Sequence, residues 1–232
     1  MKSNARYLNF NDTCFQKSGT MTPKNNVISL LYRSKERPFG HTWQYWTTRW
    51  WQWFLSIPKV NNPAIDNIDE NSYVEQSDPN VCFLASTTGG RVERTVKIPS
   101  GKAVLFPVIN VTISNSEDPT LNNDTEMISF VKGHMDGIVK KQASIDGEQL
   151  LISEKFRVQS PPFNFSYPPN NIFGAREGPT RGVGDGYWIF IRPMQPGKHT
   201  VRTYGSCMSG KIQIDAKIQL IVENSSSLLL GT

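Results

Sequence analysis

No apolar run in these 232 residues approaches the ~20 needed to cross a bilayer as a helix, so a membrane span of that kind is not expected. Residues 1–20 are polar and lack the apolar stretch of a secretory signal, which points to a soluble, cytoplasmic protein. Cysteine is scarce. Cys14, Cys82 and Cys207 cannot all pair within one chain and show no C-x-x-C spacing, which argues against a disulfide framework and a zinc knuckle and leaves open whether Cys82 and Cys207 pair. Histidine is equally scarce, and His41, His134 and His199 show none of the H-x-H, H-E-x-x-H or H-x-x-x-H spacings of a local metal site. The G-x-S-x-G signature of a nucleophile elbow is missing as well. The glycine-rich run 182–186 precedes a strand pattern, so it cannot cradle phosphate at a helix start.

Charge is unevenly distributed. Residues 1–37 hold seven basic residues (Lys2, Arg6, Lys17, Lys24, Arg33, Lys35, Arg37) against Asp12 and Glu36, so the whole formal +5 lies there and the remainder is balanced. A basic arm on a neutral body can touch nucleic acid or an anionic surface, but such an arm is more commonly a solvated, flexible end, and no nucleic-acid-binding motif accompanies it. The expected division is a basic, flexible N-terminal arm over 1–37, one domain over 38–223 and a tail over 224–232.

The spacing predicts a helix over 42–57. At 100° per residue, Trp43, Trp46, Trp50, Trp53, Phe54 and Ile57 share one arc, with Gln44, Tyr45, Thr48, Arg49 and Gln52 away from it. Thr42 supplies an N-cap, and Pro58 forces Ile57 into extended geometry. A tryptophan stripe can serve as a platform for sugar stacking or a membrane interface, but spacing this regular favours burial against a broad apolar surface. A second helix is expected over 125–141, where Met127, Val131, Met135 and Ile138 carry the inner spacing and Gly133 and Gly137 weaken it.

Elsewhere the pattern is of strands. Residues 92–98 alternate, and 103–113 are almost continuously apolar, as in a strand covered on both faces, with Pro107 requiring an edge, bulge or break. Asp146-Gly147 marks a two-residue hairpin. Residues 212–222 are apolar at every second position, which suits a long strand with one face buried. Residues 61–80 and 168–186 are expected to be long loops. The fold class is therefore mainly β with minor α: an antiparallel β-sandwich, jelly-roll or Ig-like Greek key, with the tryptophan-rich helix packed on it and a second short helix.

Several segments, taken in order, are also familiar as a set. They are Trp50-Trp51-x-Trp53-x-x-x-Ile57-Pro58, Asn62-Pro63-x-x-Asp66, Gly89-Gly90, Ile98-Pro99-x-Gly101-Lys102-x-x-x-Phe106-Pro107-x-x-Asn110, Asp185-Gly186-Tyr187-Trp188 and Pro196-Gly197-Lys198-His199-Thr200. The set resembles a family of uncharacterised bacterial and archaeal proteins to which no activity is assigned. The resemblance spans about residues 43–222 and implies a shared fold and nothing about chemistry.

Two functional readings follow. The first is a non-catalytic domain that binds a small molecule, a glycan or a protein through its loops and uses no cofactor, with Arg176, Glu177, Arg181, Asp185, Tyr187 and Trp188 as contacts. The second is a metal-dependent enzyme in which His134, Asp136 and His199 converge on a transition metal. A calcium site in the run from Asp66 to Asn71 departs from the EF-hand pattern, since Ile68 occupies the third position and Asn71, where glycine is required, the sixth.

Overall fold

The computed structural model describes residues 25–65, 76–207 and 212–224. Within them the chain forms two mixed five-stranded sheets and three helices: α1 (Asn25–Ser29), α2 (Trp43–Ser56) and α3 (Asp124–Asp136). Sheet I runs in the order β1 (Val81–Phe83), β3 (Ala103–Ser114), β8 (Gly178–Ile191), and along the far edge of β8 lie β6 (Arg157–Gln159) and β7 (Phe163–Tyr167). Sheet II runs β2 (Gly90–Ile98), β10 (Gln213–Val222), β9 (Gly197–Cys207), β4 (Ile138–Ile145), β5 (Glu148–Leu150). Most pairs are antiparallel, and each sheet carries one parallel pair at an edge, β1 with β3 and β2 with β10. The turn after Ile98 therefore carries the chain from one sheet to the other and does not close a hairpin.

Alternation along β3 and β8 sorts the core into layers. Val104, Phe106, Ile189 and Ile191 face sheet II and pack with Ile145, Val201, Ile218 and Leu220. Ala103, Leu105, Trp188 and Phe190 point the other way, under α2. Both faces of the continuously apolar strands are thus covered, as their composition predicts. The register of β3 against β8 shifts between Pro107 and Ile109, so the proline sits beside a bulge.

Helix α2 forms where its spacing places it. Thr42 accepts a hydrogen bond from the Tyr45 amide at 3.2 Å, and Ile57 is extended ahead of Pro58. All five of its indoles are buried. The Trp43, Trp46 and Trp50 N–H groups donate to the Arg33, Pro38 and Leu84 carbonyls at 3.0, 2.8 and 2.9 Å, and the Trp50 ring stacks on Phe54 with centroids 4.8 Å apart. Burial extends beyond the single arc to Trp51 and Leu55, because Trp51 sinks onto Gly184 of β8, where no side chain stands in its way.

Three expectations are corrected. The second helix ends at Asp136, capped by Gly137, whose N–H reaches the His134 and Met135 carbonyls, and residues 138–141 belong to β4. The expected loop over 168–186 is strand from Gly178 onward. The end of the supposed flexible arm is docked: Val27 and Leu31 are core residues, Leu31 bridges Ile191, and Arg192 lies over the Tyr32 ring while pairing with Glu36 at 2.6 Å. The hairpin at Asp146-Gly147 forms as predicted, with φ of 49° and 81°.

Candidate binding site

The six residues expected to gather at one ligand site fall in three places. Arg176 and Glu177 stand in solvent on the connection between β7 and β8. Arg181 is engaged with Asp124 at the start of α3, its Nε and Nη2 donating to the two carboxylate oxygens at 2.6 and 2.7 Å. Asp185, Tyr187 and Trp188 are interior, and Trp188 points away from the other two, beneath α2.

Asp185 and Tyr187 belong to a polar seam between α3, β4 and β8. Arg157 donates through Nη2 to Asp185 at 2.7 Å and through Nη1 to Asp136 at 2.6 Å, and Asp136 also pairs with Lys132. Burial pushes the Asp185 carboxyl above its usual range against the pull of Arg157, while the contact with Asp185 holds the guanidinium above its own. The two shifts oppose each other. The first reports how dry the site is and the second how well the groups fit, and the doubly bonded, charged pair is the state the geometry matches. Next to it, the Tyr187 hydroxyl donates to Glu154 at 2.8 Å with Lys141 3.3 Å away. Burial raises this phenol, so it is no base at neutral pH, and the seam is a latch between layers.

The metal trio is not assembled. His134 bonds the Phe130 carbonyl of its own helix at 2.9 Å, Asp136 belongs to the seam, and His199 lies near the start of β9, bonded to Asp146 and the Gln195 carbonyl. Among the described residues no three His, Cys, Asp or Glu side chains converge as a metal site. The calcium candidate, residues 66–71, and the arm's Lys2, Arg6, Lys17 and Lys24 lie outside the described residues. Cys82 is a buried thiol that does not pair with Cys207, and burial pushes it up to about 12.

His199 has a different role. Its Nδ1 lies 2.8 Å from Asp146 and its Nε2 2.9 Å from the Gln195 carbonyl, two acceptors that only an imidazolium satisfies at once. Burial works against that charge, but the Asp146 and Gln195 bonds outweigh it and raise the histidine above its ordinary value. A raised histidine stabilises fully below its unfolded value of about 6.5, and the contribution disappears as pH rises through the higher folded value. His199→Gln is therefore expected to lower the melting temperature at about pH 5 and to leave it unchanged at about pH 9. A gap that stays constant across that range would exclude the charged clamp.

The concave surface that sequence reasoning missed lies past the C-terminal end of α2. Pro58, Lys59, Val60 and Ile65 line one side and Pro169 and Asn170 the other, around a groove of about 690 Å³, within the ~300–1,000 Å³ usual for ligand sites. Both walls are braced from within. Buried Asn62 donates to the Phe54 carbonyl at 2.9 Å and accepts from the Ala64 amide at 3.0 Å. Arg94 reaches from β2 to the carbonyls of Pro63 and Ser86. Buried Asn171 donates to the Ala175 carbonyl at 2.8 Å and accepts from the Ala175 amide at 3.0 Å. The walls are joined by a bridge from Pro58 to Asn171 and a bond from the Lys59 amide to the Asn170 carbonyl at 2.8 Å. Asn170 holds a left-handed φ of 53°, a conformation asparagine tolerates better than most residues. On this frame Val60 is 74% exposed and Ile65 44%. The sequence signal was the pair of Asn/Pro clusters, Asn61-Asn62-Pro63 and Pro168-Pro169-Asn170-Asn171, whose approach in space no local pattern announces.

The fold and the groove together define a mainly β, two-sheet domain with an aromatic helix layered on one sheet and a rigid pair of loops at the end of that helix. No family model matches the chain, and no curated protein matches its sequence. Among solved structures it is similar to one titled "Structure of PbICP-C in complex with falcipain-2", at 11% identity over 62% of this chain and 99% of that one, with a TM-score of 0.25. It is also similar to one titled "Solution Structure of Amebosin", at 10% identity over 63% of this chain and all of that one, with a TM-score of 0.21. Neither likeness bears on function. No helix among the described residues is long and apolar enough to cross a membrane.

Proposed function

We propose that the protein is a non-catalytic binding module that engages another polypeptide through the groove beyond α2. The observation that carries this reading is the placement of Val60 and Ile65 in solvent on loops held by Asn62, Arg94 and Asn171. Exposed branched aliphatic side chains add nothing to the stability of the free protein, whereas rigid loops that present them lose little entropy on binding. A polypeptide suits the groove better than a small polar ligand, because among the described residues the lining is mostly apolar and Lys59 is its one charged residue.

Selection from a displayed peptide library tests it. Wild-type protein is expected to enrich peptides with an apolar centre, and Val60→Asp with Ile65→Asp should weaken the selected peptides at least tenfold while the melting temperature stays within a degree or two, as exposed substitutions predict. Failure to enrich any peptide, or equal binding by the double variant, would overturn the reading.

A further inference from the structure

A second concave site lies on the outer side of α2 and shares no residue with the groove. Arg49, Gln52 and Ser56, spaced to fall on one stripe of the helix, form one wall of a half-open cleft of about 210 Å³. Gln76, Ser77, Asp78 and Phe83 form the other, and Trp53, its ring centroid 5.7 Å from that of Phe83, completes the lining.

Part of this polar lining is already committed. Gln76 imitates a neighbouring strand, donating to the Phe83 carbonyl at 2.8 Å and accepting its amide at 2.7 Å. One Asp78 oxygen accepts the Asn80 and Val81 amides, each at 2.9 Å, and the Gln52 amide nitrogen donates to the Asn164 carbonyl at 3.0 Å. Among the described residues this leaves the Arg49 guanidinium and the Ser77 hydroxyl without a protein partner, along with the second Asp78 oxygen and the Gln52 carbonyl oxygen. Donors and acceptors thus face one small space that Trp53 and Phe83 also line.

That combination selects among ligand chemistries. An anion would meet Arg49 but also the Asp78 carboxylate, which repels it. A purely apolar ligand would strip water from both charges and return no hydrogen bond. A neutral polyhydroxylated ring answers both needs, since each hydroxyl both donates and accepts and the ring carries no charge for Asp78 or Arg49 to repel. The volume falls below the ~300–1,000 Å³ of drug-sized sites, which limits the occupant to one ring. We infer that the cleft between α2 and the lead into β1 binds a single sugar ring, free or as the terminal unit of a glycan.

Two-dimensional NMR with glucose, galactose, mannose and N-acetylglucosamine titrated singly into the full chain tests this. At least one sugar is expected to give saturable shifts at the Gln52 and Gln76 side-chain amides and the Trp53 indole. Arg49→Ala and Asp78→Asn should each weaken it at least tenfold with the melting temperature unchanged; asparagine at 78 retains the oxygen that accepts the two backbone amides. Val60→Asp with Ile65→Asp should leave the titration as it is, which separates this site from the groove. No shift with any of the four sugars, equal affinity in both cleft variants, or the same shifts produced by acetate or inorganic phosphate and by no sugar would each overturn the inference.

Discussion

Gly184→Ala is expected to destabilise the protein by about 3 kcal/mol, at the upper end of what overpacking usually costs. A Cβ at this position would lie 2.7 Å from both Cδ1 and Cε2 of the Trp51 indole, nearer than real carbon contacts allow. The ring has nowhere to go. It is flanked edge-on by Trp50 at 4.9 Å, Trp188 at 6.1 Å and Phe54 at 6.1 Å, so α2 itself must lift from sheet I. Denaturant titration measures the loss, and a double-mutant cycle locates it: in a Trp51→Leu background the same substitution should cost less than about 1 kcal/mol. Gly133→Ala supplies the contrast, since that glycine is exposed in α3 with nothing within 4 Å of its Cβ position, and a gain of about 0.5–1 kcal/mol is expected. Equal effects at the two glycines would mean that Trp51 is not seated on β8.

Asp185→Ala is expected to cost about 3–5 kcal/mol, the range for removing one partner of a buried ion pair. Asp185 is 1% exposed and Arg157 19%, so the guanidinium left behind keeps only Asp136 and the Lys132 carbonyl, both toward the surface. The cost arises mainly from the stranded charge. Asp185→Leu combined with Arg157→Met should therefore recover most of the loss, because an apolar pair of comparable bulk leaves no unpaired charge at the site. If the single variant costs less than about 1 kcal/mol by urea unfolding, the seam is hydrated and does not latch α3 to the sheets.

Elements with a period of their own were legible in the sequence. The stripe from Trp43 to Phe54, the Asp146-Gly147 turn and the alternation along β10 each reflect a local geometry that the side chains must match, and the structure has them in those places. What was illegible depended on partners distant in the chain. Gly182, Gly184 and Gly186 look like loop glycines until β3 is seen to press on the first and third, and Trp51, 133 residues before Gly184, to need the space at the second. Tyr187 and Trp188 look like contact residues because aromatic side chains beside glycines suggest an open surface, yet a strand between two layers buries both of its faces. The loop residues of the groove carried no chemical motif at all. Their use comes from Asn62, Arg94 and Asn171, whose hydrogen bonds to distant carbonyls cannot be inferred from spacing.

The place of β10 governs how the molecule can be made. Lys217 pairs with Glu93 across 124 positions of sequence, and β10 lies between β2 and β9 with all nine residues of β2 matched against it. Sheet I waits for β8, which ends at Ile191, and β2 finds no neighbour in sheet II until β10, which ends at Val222, has left the exit tunnel. From Ile98 to Val222 the growing chain therefore carries an unpaired β2, which makes that interval the one in which this protein is most exposed to misassembly.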